Sequence, residues 1–125
     1  MRWLPALAIA GTIFWLSHQP SSDLPGTGID KIEHAVAYGL LTLSLWFAFG
    51  SRLLDPRAAY RRGSITVVIA AVYGLSDEFH QSFISGRDPS AYDWIADVVG
   101  AVLVVAVLLW ASFAGLQGVW DNRHR

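Results

Sequence analysis

The chain has 125 residues, of which 54% are hydrophobic and 15% charged, with a mean hydropathy of +0.40 and a formal net charge of −1. That is the length of one domain, residues 1–125, with a membrane-like composition, and it has no basic field to draw nucleic acid to it. The absence of cysteine excludes disulfides and thiolate chemistry.

Four apolar stretches follow one another, at about residues 3–17, 34–50, 64–84 and 91–113. A water-soluble helical bundle would carry a polar stripe along each helix. The runs Leu4–Leu16, Ala35–Gly50, Ile65–Leu75 and Val98–Phe113 carry almost none. The expected fold is therefore all-α, a four-helix transmembrane bundle.

The first span is short against the roughly 20 residues that a bilayer core requires. Arg2 before an apolar run also fits a secretory signal, but the run closes on Ser-His-Gln-Pro without a small-x-small cleavage site. A retained first helix is expected, with Ala6 and Ala10, beside Gly11, allowing another helix to approach. Pro20, Pro25, Gly26 and Gly28 then mark a polar loop. The second span opens on Asp30-Lys31-Ile32-Glu33-His34, with Asp30 as a candidate N-cap and Glu33 completing a capping-box-like pair. Residues 51–63 read as a loop with four arginines, Arg52, Arg57, Arg61 and Arg62, against one acid, Asp55. The third span closes on DEFHQSFI, a turn with Gly86 and Pro89 follows, and the fourth begins near Ala91. Gly115 and Gly118 are expected to end it. Trp3, Trp15, Trp46, Tyr60, Tyr92, Trp94, Trp110 and Trp120 fall near span ends, as in an interfacial aromatic belt.

The charges sort by sign. Arg2, Arg52, Arg57, Arg61, Arg62, Arg123 and Arg125 fall on one side of the serpentine. Asp23, Asp30, Glu33, Asp77, Glu78, Asp88, Asp93 and Asp97 fall on the other, with only Lys31 and Arg87 as bases and with His18, His34 and His80. Basic loops stay inside, so both termini are expected in the cytoplasm of a bacterial inner membrane, with a polar pocket at the extracytoplasmic face.

Three span ends place polar groups at helical spacing. Asp30, His34 and Tyr38 share one face, Asp77 and Gln81 another with Glu78 one position round, and Asp93, Asp97 and Gly100 a third. An ionisable group at mid-bilayer costs roughly 2.5–3.5 kcal/mol on insertion scales, so these faces are expected to meet in a polar cavity. Asp30, Glu33 and Asp93 also suit helix N-termini through capping and the helix dipole. Asp77 and Glu78 stand at a C-terminus, where the dipole disfavours them, and capping does not account for them. His34 reads as a hydrogen-bonded group. Arg87 and Lys31 can each pair with carboxylates or hold a phosphate. His18, His80 and His124 read as rim, loop or tail residues. Among the carboxylates, Asp77, Glu78 and Asp97 are candidate ligands of a divalent metal, an added imidazole admitting zinc, although no two-histidine ligand pair is present.

Three motifs in order resemble the VanZ-like family of small membrane proteins: DKIEHAVAY (Asp30–Tyr38), DEFHQSFISGR (Asp77–Arg87) and DWIADVVG (Asp93–Gly100). Two positions depart from the pattern, Asp97 where asparagine is expected and Val104 where glycine is common. The resemblance implies an envelope membrane protein associated with low-level teicoplanin resistance, and makes Asp30, Lys31, His34, Tyr38, Asp77, Glu78, Gln81, Arg87, Asp93, Asp97 and Gly100 its motif positions. The residues then take these expected roles. Asp77, Glu78, His34 and Asp97 carry acid–base or metal-assisted chemistry. Lys31, Arg87, Gln81, Tyr38 and Asp93 bind substrate, and Asp30 and Gly100 are structural. The partner is a membrane amphiphile, either a lipid-linked cell-wall precursor or a phospholipid head group. An ion-linked transport module and a scaffold for a partner enzyme are the alternatives; because the inner half reads as apolar apart from Thr42, Ser44, Ser64 and Thr66, a through-path in one copy is hard to build. Small residues such as Ala96 and Gly100 suit packing within one copy or between copies of an oligomer.

Overall fold

The computed structural model describes residues 1–19, 29–50 and 55–123, with side chains throughout except at 29 and 116–123. The proline- and glycine-marked loop with Asp23, the residue Arg52, and the side chains of Trp120, Arg123, His124 and Arg125 lie outside the described set. The described residues form four helices and no strand: α1 Leu4–Ser17, α2 Ile29–Ala48, α3 Pro56–Gln81 and α4 Ala91–Arg123.

Local chemistry sets most helix ends. The Asp55 carboxylate accepts the Arg57 backbone N–H at 3.0 Å and Pro56 takes the first helical position. The third helix therefore starts within the stretch expected to be a loop, and Arg57, Arg61 and Arg62 stand on its first turns. Gly50, at φ +90°, closes α2 in the left-handed region that only glycine enters freely. Ser90 starts α4, its hydroxyl accepting the Tyr92 N–H at 3.2 Å. Asp30 lies inside the first turn of α2 rather than at its cap, and its carboxylate meets Lys31 instead. Gly115 and Gly118 do not end α4, which continues to Arg123; a helical glycine costs about 1 kcal/mol and does not by itself stop a propagating helix.

Successive helices run antiparallel. Trp3 meets Phe49 at 4.9 Å, Arg62 lies over the Trp46 ring at 5.1 Å, and Tyr60 meets Phe113 at 5.5 Å. These contacts gather the start of α1, the end of α2, the start of α3 and the later part of α4 at one end, the arginine end. Helix α2 touches the other three, and its packing on α4 is the most extensive. Glycine makes that approach close. A Cβ at Gly100 would collide with the Ala35 carbonyl and lie 2.7–2.8 Å from two further Ala35 backbone atoms, while one at Gly39 would meet Val104 Cγ2 at 3.2 Å. Ala6 enters the core, and the Tyr73 hydroxyl donates to the Ala10 carbonyl at 2.7 Å. Gly11 faces open space.

The interior is unusually polar and the exterior unusually apolar. Leu7, Phe14, Val68, Leu75, Leu103, Val107 and Trp110 are exposed, whereas Thr42, Arg62, Thr66, Asp77, Glu78, Gln81, Asp93 and Asp97 are buried. Trp46 belongs to the interior too, beneath Arg62, and not to a surface belt. Arg62 corrects the expectation of an inner half whose only polar groups are Thr42, Ser44, Ser64 and Thr66. Among the described residues one segment, Ala91–Gly115, is long and apolar enough to cross a membrane; α1 is apolar but has 14 residues.

Candidate functional site

The acidic residues converge at the opposite end from the arginines, where α1 and α3 finish and α2 and α4 begin. Period-four spacing turns Asp30, His34 and Tyr38 of α2 toward Asp93 and Asp97 of α4 and toward Asp77, Glu78 and Gln81 of α3. The glycine contact between α2 and α4 fixes the register. Gly74 on α3 completes the arrangement, because a Cβ there would stand 2.8 Å from Asp97 Oδ2 and 3.3 Å from the Tyr38 ring.

Two pairings join α2 to α4. The Lys31 ammonium bonds Asp30 at 2.8 Å and also bonds Asp93. His34 Nδ1 lies 2.8 Å from Asp97 Oδ1, while its Nε2 is 3.8 Å from Asp30. Lys31 and Asp30 precede the second predicted span. Hydrogen bonds to Asp30 and Asp93 push the Lys31 ammonium up to about 12. Partial burial opposes the ionised form of Asp30, but the bond to Lys31 and its charge prevail and hold that carboxyl below its ordinary value.

A second set joins α3 to its neighbours. Asp77 Oδ2 accepts from the Ser17 hydroxyl at 2.8 Å and from Gln81 Nε2 at 3.1 Å. Glu78 Oε2 accepts the Ser90 backbone N–H at 2.8 Å. These donors offset the unfavourable dipole that a helix C-terminus presents to carboxylates. Arg87 donates from Nε to the Gln19 carbonyl at 2.9 Å and from Nη2 to that of Leu16 at 3.0 Å. Two of its donors thus cap the end of α1, where carbonyls lack partners within the helix.

All the expected site residues share this end, and they divide by environment. Asp77, Glu78, Gln81, Asp93, Asp97 and Tyr38 are buried, His34 is nearly so, and Lys31, Asp30 and Arg87 form a half-exposed rim. A cavity of about 240 Å³ opens among Ser17, His34, Tyr38, Asp77, Gln81 and Arg87. Beside it, an apolar groove of about 710 Å³ follows the α2–α4 seam from Lys31 and Tyr92 past Gly39 and Gly100 to Leu103. The missing side chains of the two glycines leave a trough whose walls are Leu40, Leu43, Val99 and Leu103.

The sites where metal could bind differ from the expected set. His34, Glu78 and Asp97 each offer one donor atom with all three within 4.8 Å of one another, and so do Asp30, His34 and Asp93; Asp77 belongs to neither group. Asp77 is turned toward Ser17 and Gln81, an interhelical pairing that spacing within one helix does not reveal.

Several contributors escape sequence reasoning. Ser17 and Ser90 are common residues at helix ends, where capping is the ordinary reading. Trp94 donates its indole N–H to the Ala71 carbonyl at 2.9 Å, which ties α4 to α3 and takes it out of a purely interfacial role. His18 and His80 stack with ring nitrogens 3.3 Å apart. The sequence places both histidines with the acidic residues, but their contact spans α1 and α3 and has no local signature.

No curated protein and no solved structure matches the chain. The model of the VanZ/LLP1 family matches residues 2–113, most of the chain, which agrees with the three motifs that converge here; the protein belongs to that family.

Proposed function

We propose that this protein is an integral membrane protein of the bacterial envelope. It takes an amphiphile with its polar head at the outward-facing acidic end and its tail in the α2–α4 groove. The observation that carries this reading is the groove itself, apolar along its length and beginning at Lys31. An exposed apolar trough of this kind costs free energy in water and little in hydrocarbon. The inverted distribution of side chains has the same meaning, because apolar exteriors match lipid while polar groups seek one another inside. Lys31 has three donors and gives two of them to carboxylates, leaving one for a phosphate. A phosphate on a long apolar tail is the chemistry shared by a phospholipid and a lipid-linked cell-wall precursor. Family membership adds a link to teicoplanin resistance, and the outward face is where such a precursor and a glycopeptide meet.

Native mass spectrometry of protein extracted in mild detergent tests this directly. The wild type is expected to retain a phosphate-headed lipid, whose mass separates a phospholipid from a polyprenyl phosphate. Lys31→Ala and the groove-filling Val99→Trp should each reduce its occupancy several-fold. Equal occupancy in all three proteins would sink the proposal.

A second reading is an ion-linked relay. It is favoured by the buried polar atoms without partners at Tyr38, Thr42 and Arg62, which extend from the acidic end toward the arginine end. Proton uptake by vesicles containing the protein, abolished in Thr42→Val, would move the assignment to transport.

A further inference from the structure

We infer that His34, Glu78 and Asp97 form a binding site for one first-row divalent cation, Zn²⁺ or Mn²⁺, buried beneath the rim of the acidic end. The site stands independently of the lipid reading.

Three observations converge on it. The first is charge. Asp77, Glu78 and Asp97 are each buried to 7% exposure or less, and among the described residues none has a lysine or arginine partner. The nearby Lys31 is engaged by Asp30 and Asp93, and Arg87 donates to backbone carbonyls. Three interior carboxylates that share one imidazole and no lysine or arginine are costly, and buried charges are ordinarily paired or bound to metal.

The second is the set of free lone pairs. Asp97 Oδ2, Glu78 Oε1 and the Tyr38 hydroxyl are all buried without a hydrogen-bond partner. Asp97 Oδ2 and the Tyr38 ring both face the space left by Gly74, where a Cβ would stand 2.8 Å and 3.3 Å from them. Asp97 and Tyr38, each at 1% exposure, are among the most buried side chains of the described residues. These atoms are satisfied by neither helix ends nor neighbouring side chains, and a cation satisfies the two carboxylates together.

The third is geometry. The donor atoms of His34, Glu78 and Asp97 lie within 4.8 Å of one another, and a small side-chain rotation brings them inside the at most about 4.4 Å that two ligands bonded to one ion at about 2.0–2.2 Å can span. One imidazole with two carboxylates suits borderline first-row ions, whereas calcium and magnesium favour all-oxygen shells. His34 Nδ1 would exchange its contact with Asp97 Oδ1 for the metal, releasing a proton if it carries one. Asp30 stands 3.8 Å behind Nε2, on the side where a carboxylate commonly orients a metal-bound histidine. The other triad, Asp30, His34 and Asp93, competes less well, because the Lys31 ammonium already bonds both of its carboxylates.

The test is titration of the full chain in detergent, after chelator treatment, with Zn²⁺, Mn²⁺ and Co²⁺, read by bound-metal analysis and by the visible spectrum of Co²⁺. One equivalent is expected in the wild type, with Co²⁺ bands showing nitrogen and oxygen ligation. Glu78→Gln and Asp97→Asn should weaken uptake at least about tenfold, since ligands matter no less than outer partners, whose loss costs 10–100-fold. Gly74→Ala is the variant that changes no ligand residue. Its methyl would press on the Asp97 carboxylate at 2.8 Å and crowd the Trp94 and Tyr38 rings at 3.3 Å, and it should also weaken binding. Asp88→Asn, exposed at the same end, should bind as the wild type does. A folded wild type that takes up no ion overturns the site, as does uptake that Glu78→Gln, Asp97→Asn and Gly74→Ala all leave unchanged.

Discussion

The two ends of this bundle hold opposite charges in opposite ways. At the acidic end the charges go inward. Asp77, Glu78, Asp93 and Asp97 are buried, each tied to a different partner on another helix or the adjoining turn. At the arginine end, among the described residues, Arg2, Arg57 and Arg61 are exposed and Arg62 alone turns in, over Trp46 and with its Nη1 unpartnered. The contrast teaches where specificity resides. Buried carboxylates demand particular donors at particular distances, so the acidic end depends on the relative rotation and depth of all four helices. The exposed arginines require only a polar surrounding, and the cation–π contact of Arg62 needs a ring face rather than a directional bond.

The largest effect should come from breaking the register on which the acidic end depends. Gly100→Ala forces a methyl into the Ala35 backbone, which cannot yield as a side chain would, and should cost about 3 kcal/mol or prevent accumulation of folded protein. Gly115→Ala, with nothing within 4 Å, should be neutral or stabilise by about 1 kcal/mol through helix propensity. Thermal unfolding in detergent compares them, and equal effects would mean that the α2–α4 contact does not set the site.

Matched deletions at the two ends sharpen the comparison further. Ser17→Ala removes a donor from buried Asp77 and should destabilise by about 1–3 kcal/mol. Arg62→Met replaces a buried, incompletely satisfied charge with an apolar chain of similar length and should leave stability unchanged or raise it. A large loss in Arg62→Met would show that the arginine end contains a partner network as exacting as the acidic one.

The smallest expected effect is on the half-exposed rim. Lys31 titrates at about 12 in the folded chain against 10.5 ordinarily. Its contribution is therefore fully present below 10.5 and is lost as pH rises toward 12. Asp30, held below 3.8, contributes above that value and loses its contribution as pH falls through its folded value. The stability difference between wild type and Lys31→Gln should stay level in mid-range and shrink at the alkaline limit. Because the Lys31 side chain is 41% exposed, solvent screening keeps that difference small. A difference that persists at pH 12 would assign it to packing of the lysine stem instead.

Much of this was readable from the chain. The alternation of apolar runs with oppositely charged ends predicts an up-and-down bundle, and Asp30, His34 and Tyr38 at intervals of four predict one inward face. Other features were not readable. Arg57, Arg61 and Arg62 look like loop residues until the Asp55 cap and Pro56 start a helix before them. Glycines at 115 and 118 look like terminators, although a helix already formed passes through them. Arg87 looks like a carboxylate partner or a phosphate ligand, and only the position of the α1 carbonyls shows it as a cap.

The sequence by itself determined that four helices form, which end of each is charged, and that the acidic residues of three of them occupy the same level. Periodicity and charge order are local properties of a chain and survive without any partner. The tertiary structure alone decided the pairings: Lys31 with Asp93, His34 with Asp97, Ser17 with Asp77, and Arg62 over Trp46. Each of those contacts depends on how far two helices are rotated and how closely they approach. At Gly100, Gly39 and Gly74 that approach is set by side chains that are missing, and a missing side chain names no partner until the helices meet.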